Sequence, residues 1–212
     1  MTGSARKCSG MGMKNIGAMK KMQAGIGRAL AALPFTPTQV TVFSVAVAMA
    51  AAWLAWQGQI MASAMVFLVS GALDAIDGAI ARAKNMASAR GAYIDGISDR
   101  LVEFLLVVSL YLAAVPAIYE WAPTWLLLLA ILFFGSTMSS FATAYAVHRK
   151  AATQEKVDSE PGIMPRTERV ILMCIALFAA AVNPALSYWL LVAIALLALV
   201  TFSQRFLHYA VG

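Results

Sequence analysis

Charged side chains are scarce in this chain of 212 residues. Asp, Glu, Lys and Arg make up 12% of it, whereas 61% of the residues are hydrophobic. Soluble domains are typically about one quarter charged and about half apolar. The composition therefore disfavours a soluble domain and indicates a protein whose solvent is largely a lipid bilayer.

Cysteine and histidine are rarer still, with two of each. Cys8 and Cys174 are far apart in the sequence, and Cys174 falls inside an apolar run. His148 and His208 each adjoin basic or polar residues, at a spacing that is not typical of metal ligands. The sequence therefore indicates neither a disulfide framework nor a Cys/His metal site.

Long apolar runs, by contrast, account for most of the chain. A helix needs about 20 mostly apolar residues to cross a bilayer. Six runs approach or reach that length: Thr38–Trp56, Ile60–Ala81, Ile94–Val115, Thr124–Val147, Arg169–Val182 and Ala185–Phe206. The fifth run is short unless its helix begins near Thr167. Aromatic residues near the run ends, among them Trp56, Trp121 and Tyr188, fit the aromatic belts of membrane proteins. The sequence predicts an all-α integral membrane protein with six transmembrane helices in one domain, residues 38–212.

The segment before the first run, residues 1–37, has a different pattern. Lys14, Lys20, Lys21 and Arg28 alternate with apolar residues, and no uninterrupted apolar core of a cleavable signal peptide is present. This pattern is typical of a basic amphipathic helix that lies on a membrane surface. We expect a cytoplasmic juxtamembrane helix here.

The basic residues also predict the orientation. With six spans, all 16 Lys and Arg residues fall on one side of the membrane, together with both termini. By the positive-inside rule that side is cytoplasmic, so a multi-pass protein of the plasma membrane is expected. The net charge of +6 is spread over helix ends and suits anionic lipids and phosphorylated substrates better than nucleic acid.

Four carboxylates interrupt the second and third apolar runs. Asp74 and Asp77 are three residues apart, Asp95 and Asp99 are four apart, and each spacing puts the pair on one helical face. Because the link between the two runs is short, the helices should be antiparallel neighbours and the carboxylates should converge. Such a cluster repels itself unless cations cancel its charge, and Mg²⁺ prefers oxygen ligands of this kind. The alternative interpretation is that these residues cap helices or pair with nearby arginines at the interface.

The same residues form a longer motif, Asp74-x-x-Asp77-Gly78-x-x-Ala81-Arg82, then eight residues, then Gly91-x-x-x-Asp95-x-x-x-Asp99. This motif resembles the complete signature of the CDP-alcohol phosphotransferase family, and six membrane helices with a juxtamembrane helix are similar to that family as well. Enzymes of this family move a phosphoalcohol group from a cytidine diphosphate donor to a hydroxyl acceptor and release CMP.

The resemblance implies a role for each residue of the motif. The metal ligands would be Asp74, Asp77, Asp95 and Asp99, holding two ions of Mg²⁺ or Mn²⁺. Asp99 would also be the general base that takes the proton of the acceptor hydroxyl. The CDP group would be bound by Asp74, Asp77, Gly78, Ala81, Arg82 and Gly91. The resemblance further implies a CDP-linked lipid donor, of diacylglycerol or archaeol type, and a homodimer.

Basic residues near the last two helices bear on the acceptor. The order Tyr145, Arg149, Lys150, then Arg166-Thr-Glu-Arg169, then Arg205 is similar to phosphatidylinositol-phosphate synthases and their archaeal counterparts. In that subgroup a basic cluster holds the phosphate of inositol phosphate, which would assign this role to Arg149, Lys150, Arg166, Arg169 and Arg205. This chain departs from the subgroup at Thr167, where a proline is common, and at Val147, where a lysine is expected.

Other interpretations of the basic and acidic residues stay open. The basic residues could be ordinary positive-inside anchors, and glycerol phosphate or serine could be the acceptor in place of a phosphorylated polyol such as inositol phosphate. From another class of protein, a small cation transporter would also carry intramembrane carboxylates. A transporter would, however, place charges near the bilayer midplane and often shows two related halves. Here the carboxylates lie toward one end and no repeat is evident.

Overall fold

The computed structural model describes residues 36–84, 86, 88–159 and 162–211. Every regular element in this part of the chain is a helix. The helices are α1 (Pro37–Trp56), α2 (Ile60–Ala83), α3 (Ala89–Leu112), α4 (Thr124–Ala130), a π-helix (Ile131–Met138), α5 (Ser139–His148), α6 (Gln154–Ser159), α7 (Arg166–Val182) and α8 (Pro184–Val211). The predicted juxtamembrane helix precedes these residues and lies outside the described part.

Four helical stretches are long and apolar enough to cross a membrane: Pro37–Trp56, Ile60–Ala81, Thr124–His148 and Pro184–Ala210. The third of these runs without a break through α4, the π-helix and α5. The two other predicted spans correspond to α3, whose first half is rich in charged residues, and to α7, which has 17 residues. The prediction of a helical membrane protein is therefore confirmed, with four of its six spans supported by length and composition.

The starts of the helices follow from local capping. Thr36 and Gln39 form a capping box ahead of α1, and Pro37 occupies its first turn, where the missing N–H of proline is not needed. Ser88 caps α3 by accepting a hydrogen bond from the Gly91 amide at 3.1 Å. This cap explains why α3 begins five residues before the predicted Ile94. At α7, the helix begins at Arg166 and not at Arg169.

Small residues let the helices pack closely. Ala48, Ala51 and Ala64 are at most 1% exposed where α1 and α2 meet, and Ser70 of α2 donates a hydrogen bond of 2.8 Å to the Ser44 carbonyl of α1. Close approach at small residues and interhelical hydrogen bonds are the main sources of helix association in membranes. Helix α1 also packs on α3, and α7 packs on α2, α3 and α8. Among these neighbours Asp99 and Glu103 of α3 are buried, whereas Arg90 at the start of α3 is exposed.

The aromatic residues at the span ends divide into two groups. Trp56 and Trp121 are 74% and 78% exposed, as expected for an aromatic belt. Tyr188 is fully buried, and its hydroxyl donates a hydrogen bond of 2.8 Å to the Ala122 carbonyl. The interpretation of Tyr188 as a membrane-interface anchor is therefore wrong, because its hydroxyl ties the 113–123 connection to α8.

A π-helical stretch interrupts the fourth candidate span. Gly135 lies within it, and a Cβ atom at this position would approach Arg169 Cδ to 3.0 Å and Ala198 Cβ to 3.3 Å. Glycine is therefore needed where this helix passes the Arg169 side chain. Stretches of π-helix occur frequently at functional sites, and this one precedes the serines of α5 that contact arginines.

The connection into α7 is fastened to α8 by backbone hydrogen bonds. The Met164 amide donates to Thr201 Oγ1 at 3.1 Å, and the Ile163 amide donates to Gln204 Oε1 at 3.3 Å. Gly162 precedes them with φ of +84°, and a Cβ atom there would come within 2.8 Å of Thr201 Cγ2. This close approach fixes the position of the chain just before Arg166, whose side chain lies in the site.

Replacement of Gly162 by alanine should destabilise the protein more than the same change at Gly58. Both glycines have positive φ, +84° and +77°, but the space around Gly58 is open. Backbone strain costs on the order of 1 kcal/mol at either position, and Gly162→Ala adds the clash with Thr201. Thermal unfolding in detergent should show a Tm roughly 5 °C lower for Gly162→Ala than for Gly58→Ala. Equal Tm values would show that the Thr201 side chain moves aside without cost.

Candidate active site

Three of the four predicted aspartates converge between α2 and α3. One carboxylate oxygen from each of Asp74, Asp95 and Asp99 lies within 4.8 Å of the others. The convergence follows from the short link between the antiparallel helices, with Asp74 in the second half of α2 and the other two in the first half of α3. The acidic cluster predicted from the motif is confirmed for these three residues.

Asp77 occupies a neighbouring position. It is 4% exposed and accepts a hydrogen bond from the Thr41 hydroxyl of α1. It lines a cavity of about 300 Å³ between α1, α2 and α3, together with Gly78, Ala81, Gly91 and Asp95. Asp95 thus belongs to the three-carboxylate group and also faces the cavity of Asp77. The role of Asp77 as a metal ligand stays a prediction.

The same cavity contains the small residues of the motif. Gly78, Ala81 and Gly91 leave its walls open, and Thr38 and Ser88 contribute polar atoms to its rim. Four of the six predicted CDP-binding residues, Asp77, Gly78, Ala81 and Gly91, therefore line one cavity. Asp74 belongs to the three-carboxylate group and lines a different cavity, and the Arg82 side chain lies outside the described part. Thr38 and Thr41 were not predicted as site residues, because their contact with the cavity depends on how α1 packs.

The carboxylate group fits a divalent cation. Asp74 Oδ1 is buried and has no hydrogen-bond partner among the described residues, so a strong acceptor points into the site without a donor. A buried acceptor of this kind is costly unless a cation or donor satisfies it. Three hard oxygen ligands with one of them unsatisfied are the donor set that Mg²⁺ or Mn²⁺ prefers.

Arg166 of α7 lies against this group. Its Nη1 is 3.1 Å from Asp74 Oδ2 and its Nη2 is 2.7 Å from Asp99 Oδ1. A further carboxylate, Glu103, lies 3.9 Å from Arg166 Nε. The guanidinium thus connects α7 to both acidic helices.

Glu103 and Arg169 form a second, deeper ion pair. Arg169 Nη2 lies 2.6 Å from Glu103 Oε1, and the two side chains are 6% and 2% exposed. From the sequence, Glu103 was recognisable only as a residue on the same face as Asp99, able either to join the polar site or to pair with an arginine. The structure shows the pairing, and it shows that Arg169 is committed to this carboxylate.

Two further arginines face the start of α5. Arg205 Nη1 donates to Ser139 Oγ at 2.9 Å and to Thr143 Oγ1 at 3.2 Å. Arg100 donates to Ser140 and lies 3.4 Å from Asp99 Oδ2. Hydroxyls of α5 thus hold two arginines, and one of them, Arg100, adjoins Asp99. Arg100 and the α5 hydroxyls were not predicted as part of the site.

Arg149 and Lys150 lie at the C-terminal end of α5. Arg149 Nε donates to the Tyr145 hydroxyl at 2.9 Å, and its guanidinium stands over the Tyr145 ring. It lines an apolar pocket formed with Phe202 and Phe206 of α8. Lys150 is exposed in the turn after α5, with φ of +61°. Of the five predicted acceptor-binding residues, Arg166, Arg169 and Arg205 thus lie nearer the carboxylates, and Arg149 is held by Tyr145.

Comparison with known proteins identifies the same family that the signature motif resembles. The family described as CDP-alcohol phosphatidyltransferase matches residues 35–204. The archaetidylinositol phosphate synthase of Pyrococcus horikoshii is 32% identical over 181 residues, which are 85% of this chain and 86% of that protein.

Solved structures of a mycobacterial enzyme share the fold. The phosphatidylinositol phosphate synthase of Mycobacterium tuberculosis in complex with manganese and citrate is 25% identical, covers 88% of each chain and has a TM-score of 0.70. The same enzyme with CDP-DAG bound has a TM-score of 0.65 at 24% identity, and covers 89% of this chain and 93% of its own. With its signature motif intact and its three-carboxylate cluster assembled between α2 and α3, the chain belongs to the CDP-alcohol phosphatidyltransferase family.

Proposed function

We propose that this enzyme transfers a phosphatidyl or archaetidyl group from a CDP-linked lipid to a hydroxyl of inositol phosphate, releasing CMP. The observation that carries the acceptor assignment is the pair Arg100 and Arg205, whose guanidinium groups are both bound by hydroxyls of α5, with Arg100 also 3.4 Å from Asp99. Hydroxyl partners leave the positive charge of these arginines uncancelled, and arginine is well suited to phosphate. The similarity to an archaetidylinositol phosphate synthase supports the same acceptor.

In this mechanism Asp99 accepts the proton of the acceptor hydroxyl. The acceptor oxygen then forms a bond to the β-phosphorus of the donor, the bond from that phosphorus to the bridging oxygen breaks, and CMP leaves with the electron pair. Asp99 is suited to this role because it is the member of the three-carboxylate group that lies next to Arg100, 3.4 Å from that guanidinium. General bases contribute about 10²- to 10⁴-fold to such rates.

The donor would lie across the two acidic helices. Asp77, Gly78, Ala81 and Gly91 line a cavity of about 300 Å³, which we assign to the cytidine and diphosphate groups. We also assign Arg82 of the signature to the diphosphate, on the resemblance alone. The solved structure of the mycobacterial enzyme with CDP-DAG bound supports a CDP-linked lipid as donor.

Divalent metals complete the site in this proposal. Asp74, Asp95 and Asp99 would hold Mg²⁺ or Mn²⁺, with Asp77 as a ligand of a second ion, and the metals would neutralise charge on the diphosphate. The manganese in the mycobacterial structure supports this assignment. Asp95 is the residue that would serve both ions, because it belongs to the three-carboxylate group and lines the cavity of Asp77.

We further propose that α3 and α7 cross the membrane with the four apolar spans. Helix α3 has 24 residues, which at about 1.5 Å each is long enough, and its carboxylates Asp99 and Glu103 are buried. Six spans put both termini and the active site on the cytoplasmic side of the plasma membrane, as the basic residues predict. The family resemblance supports a homodimer.

Replacement of Asp99 by asparagine should reduce CMP release at least 100-fold, because asparagine keeps the shape but cannot accept the proton. The assay uses purified protein in detergent, Mg²⁺, and CDP-diacylglycerol or CDP-archaeol, with inositol phosphate, glycerol phosphate or serine in separate reactions. Glu120→Gln, in the 113–123 connection, is the matched control and should keep wild-type activity.

The separate reactions with the three acceptors distinguish the possible functions. Turnover with inositol phosphate alone supports the assignment, and turnover with glycerol phosphate or serine instead would keep the family chemistry but refute this acceptor. Absence of turnover with every acceptor, with cation flux in vesicles, would favour the transporter interpretation.

Replacement of Arg205 by glutamine should raise the KM for inositol phosphate about 10-fold or more and leave the KM for the lipid donor within about twofold. A hydrogen bond to a charged group contributes about 1.5–3 kcal/mol, and the Arg205 guanidinium is oriented by Ser139 and Thr143. Steady-state kinetics with each substrate varied in turn measures both constants. Lys156→Gln removes a positive charge from α6 and is the control for a general loss of charge. An unchanged acceptor KM would remove Arg205 from the acceptor site.

A further inference from the structure

Arg166 binds the same carboxylates that the metal site requires. Its two terminal nitrogens lie 3.1 Å from Asp74 Oδ2 and 2.7 Å from Asp99 Oδ1, and both aspartates belong to the three-carboxylate group. A guanidinium and a divalent cation on the same carboxylates repel each other and draw on the same negative charge. Arg166 would therefore compete with a bound metal ion for Asp74 and Asp99.

Glu103 offers Arg166 a different anion. It lies 3.9 Å from Arg166 Nε, which is within the range of an ion pair but too far for a hydrogen bond, and Arg166 Nε has no hydrogen-bond partner among the described residues. Glu103 is one helical turn from Asp99 and is not part of the three-carboxylate group. Its side chain is 2% exposed and is fixed by Arg169 at 2.6 Å. A carboxylate in this position can hold the Arg166 side chain beside the site when the aspartates bind metal.

The surroundings of Glu103 fix its position. Arg169, which anchors it, packs against Gly135, where a Cβ atom would approach Arg169 Cδ to 3.0 Å. The ion pair is thus enclosed by α3, α7 and the π-helix, with little room for either side chain to move. In such an enclosed place a carboxylate keeps its charge only through its arginine partners.

We propose that Glu103 is a positioning residue, whose negative charge attracts the Nε side of the Arg166 guanidinium and thereby weakens the competition of Arg166 with metal at Asp74 and Asp99. Arg166 then stays close enough to contact a phosphate group of the substrates. This inference rests on the proposed use of the three aspartates as metal ligands, and it does not depend on which acceptor the enzyme uses.

Mn²⁺ binding tests the proposal without any substrate. Full-length protein in detergent is stripped with EDTA, the chelator is removed, and Mn²⁺ is titrated by electron paramagnetic resonance. Arg166→Gln should bind Mn²⁺ about 10-fold more tightly than the wild type, because the competing charge is gone. An unchanged or weaker affinity in Arg166→Gln overturns the proposal.

A double-mutant cycle then separates Glu103 from a general charge effect. Glu103→Gln alone would leave Arg169 buried without its carboxylate, so Glu103→Gln and Arg169→Gln are combined in one variant. The combined variant loses one negative and one positive charge, and its net charge is therefore unchanged. With Arg166 present, this neutral pair should weaken Mn²⁺ binding about 5-fold, since Arg166 turns fully to the aspartates. In the Arg166→Gln background the same pair should change the affinity less than about twofold.

The outcomes are distinct. Equal weakening in both backgrounds would show that Glu103 and Arg169 act on the metal without Arg166, and would overturn the positioning role. A wild-type protein that binds no Mn²⁺ would remove the metal site of the proposed function, and this proposal with it. Failure with inositol phosphate as acceptor, with the cycle as expected, would overturn the acceptor assignment alone. Thermal unfolding of each variant with EDTA confirms that the proteins compared are folded.

Discussion

The structure depends on neutralising carboxylates that are enclosed in an otherwise apolar helix bundle. A single charged side chain within a membrane helix costs on the order of 3 kcal/mol, and Asp74, Asp77, Asp99 and Glu103 lie close together with two charged arginines among them. Arginines pair with Asp74, Asp99 and Glu103, and the Thr41 hydroxyl donates a hydrogen bond to Asp77. The contacts that pack these helices together are therefore also the contacts that shape the site.

The two arginines at the start of α7 contribute most of that neutralisation. Arg166 joins α7 to Asp74 of α2 and Asp99 of α3, and Arg169 joins it to Glu103. Buried ion pairs give little net stability, but breaking one side of a pair is strongly destabilising. The arrangement thus specifies where α7 docks more than it increases overall stability. A helix of 17 residues is held at its charged end by these contacts.

The helices and the convergence of three aspartates could be predicted from the sequence. The spacing of Asp74, Asp95 and Asp99 and the short link between their helices predicted convergence, because helical periodicity and a tight turn leave few alternatives. The apolar runs predicted the helices, and their ends agree to within a few residues at α1, at α2 and for the stretch that runs from α4 through α5. The start of α3 was missed because Ser88 capping is a local signal within a polar stretch.

The partners of the arginines were not accessible in the same way. Arg149, Arg166, Arg169 and Arg205 are equivalent as basic residues near span ends, and only packing distinguishes them. The structure puts Arg149 on Tyr145, Arg205 on the α5 hydroxyls and Arg169 on Glu103. The contacts of Arg205 and Arg169 join different helices, about which periodicity carries no information. Tyr145 is four residues before Arg149, so that contact alone follows helical spacing.

That division among the arginines bears on how one site can handle two anionic substrates. Arginines bound to carboxylates, such as Arg169, mainly balance the charge of the protein itself. Arg100 and Arg205 also contact serine and threonine oxygens, which orient a guanidinium without cancelling its charge. An anionic acceptor and an anionic donor repel each other, and separate positive regions on either side of Asp99 would reduce that repulsion where the new bond forms. The hydroxyl-rich face of α5 is thus as much a part of the proposed chemistry as the aspartates, although it carries no charge.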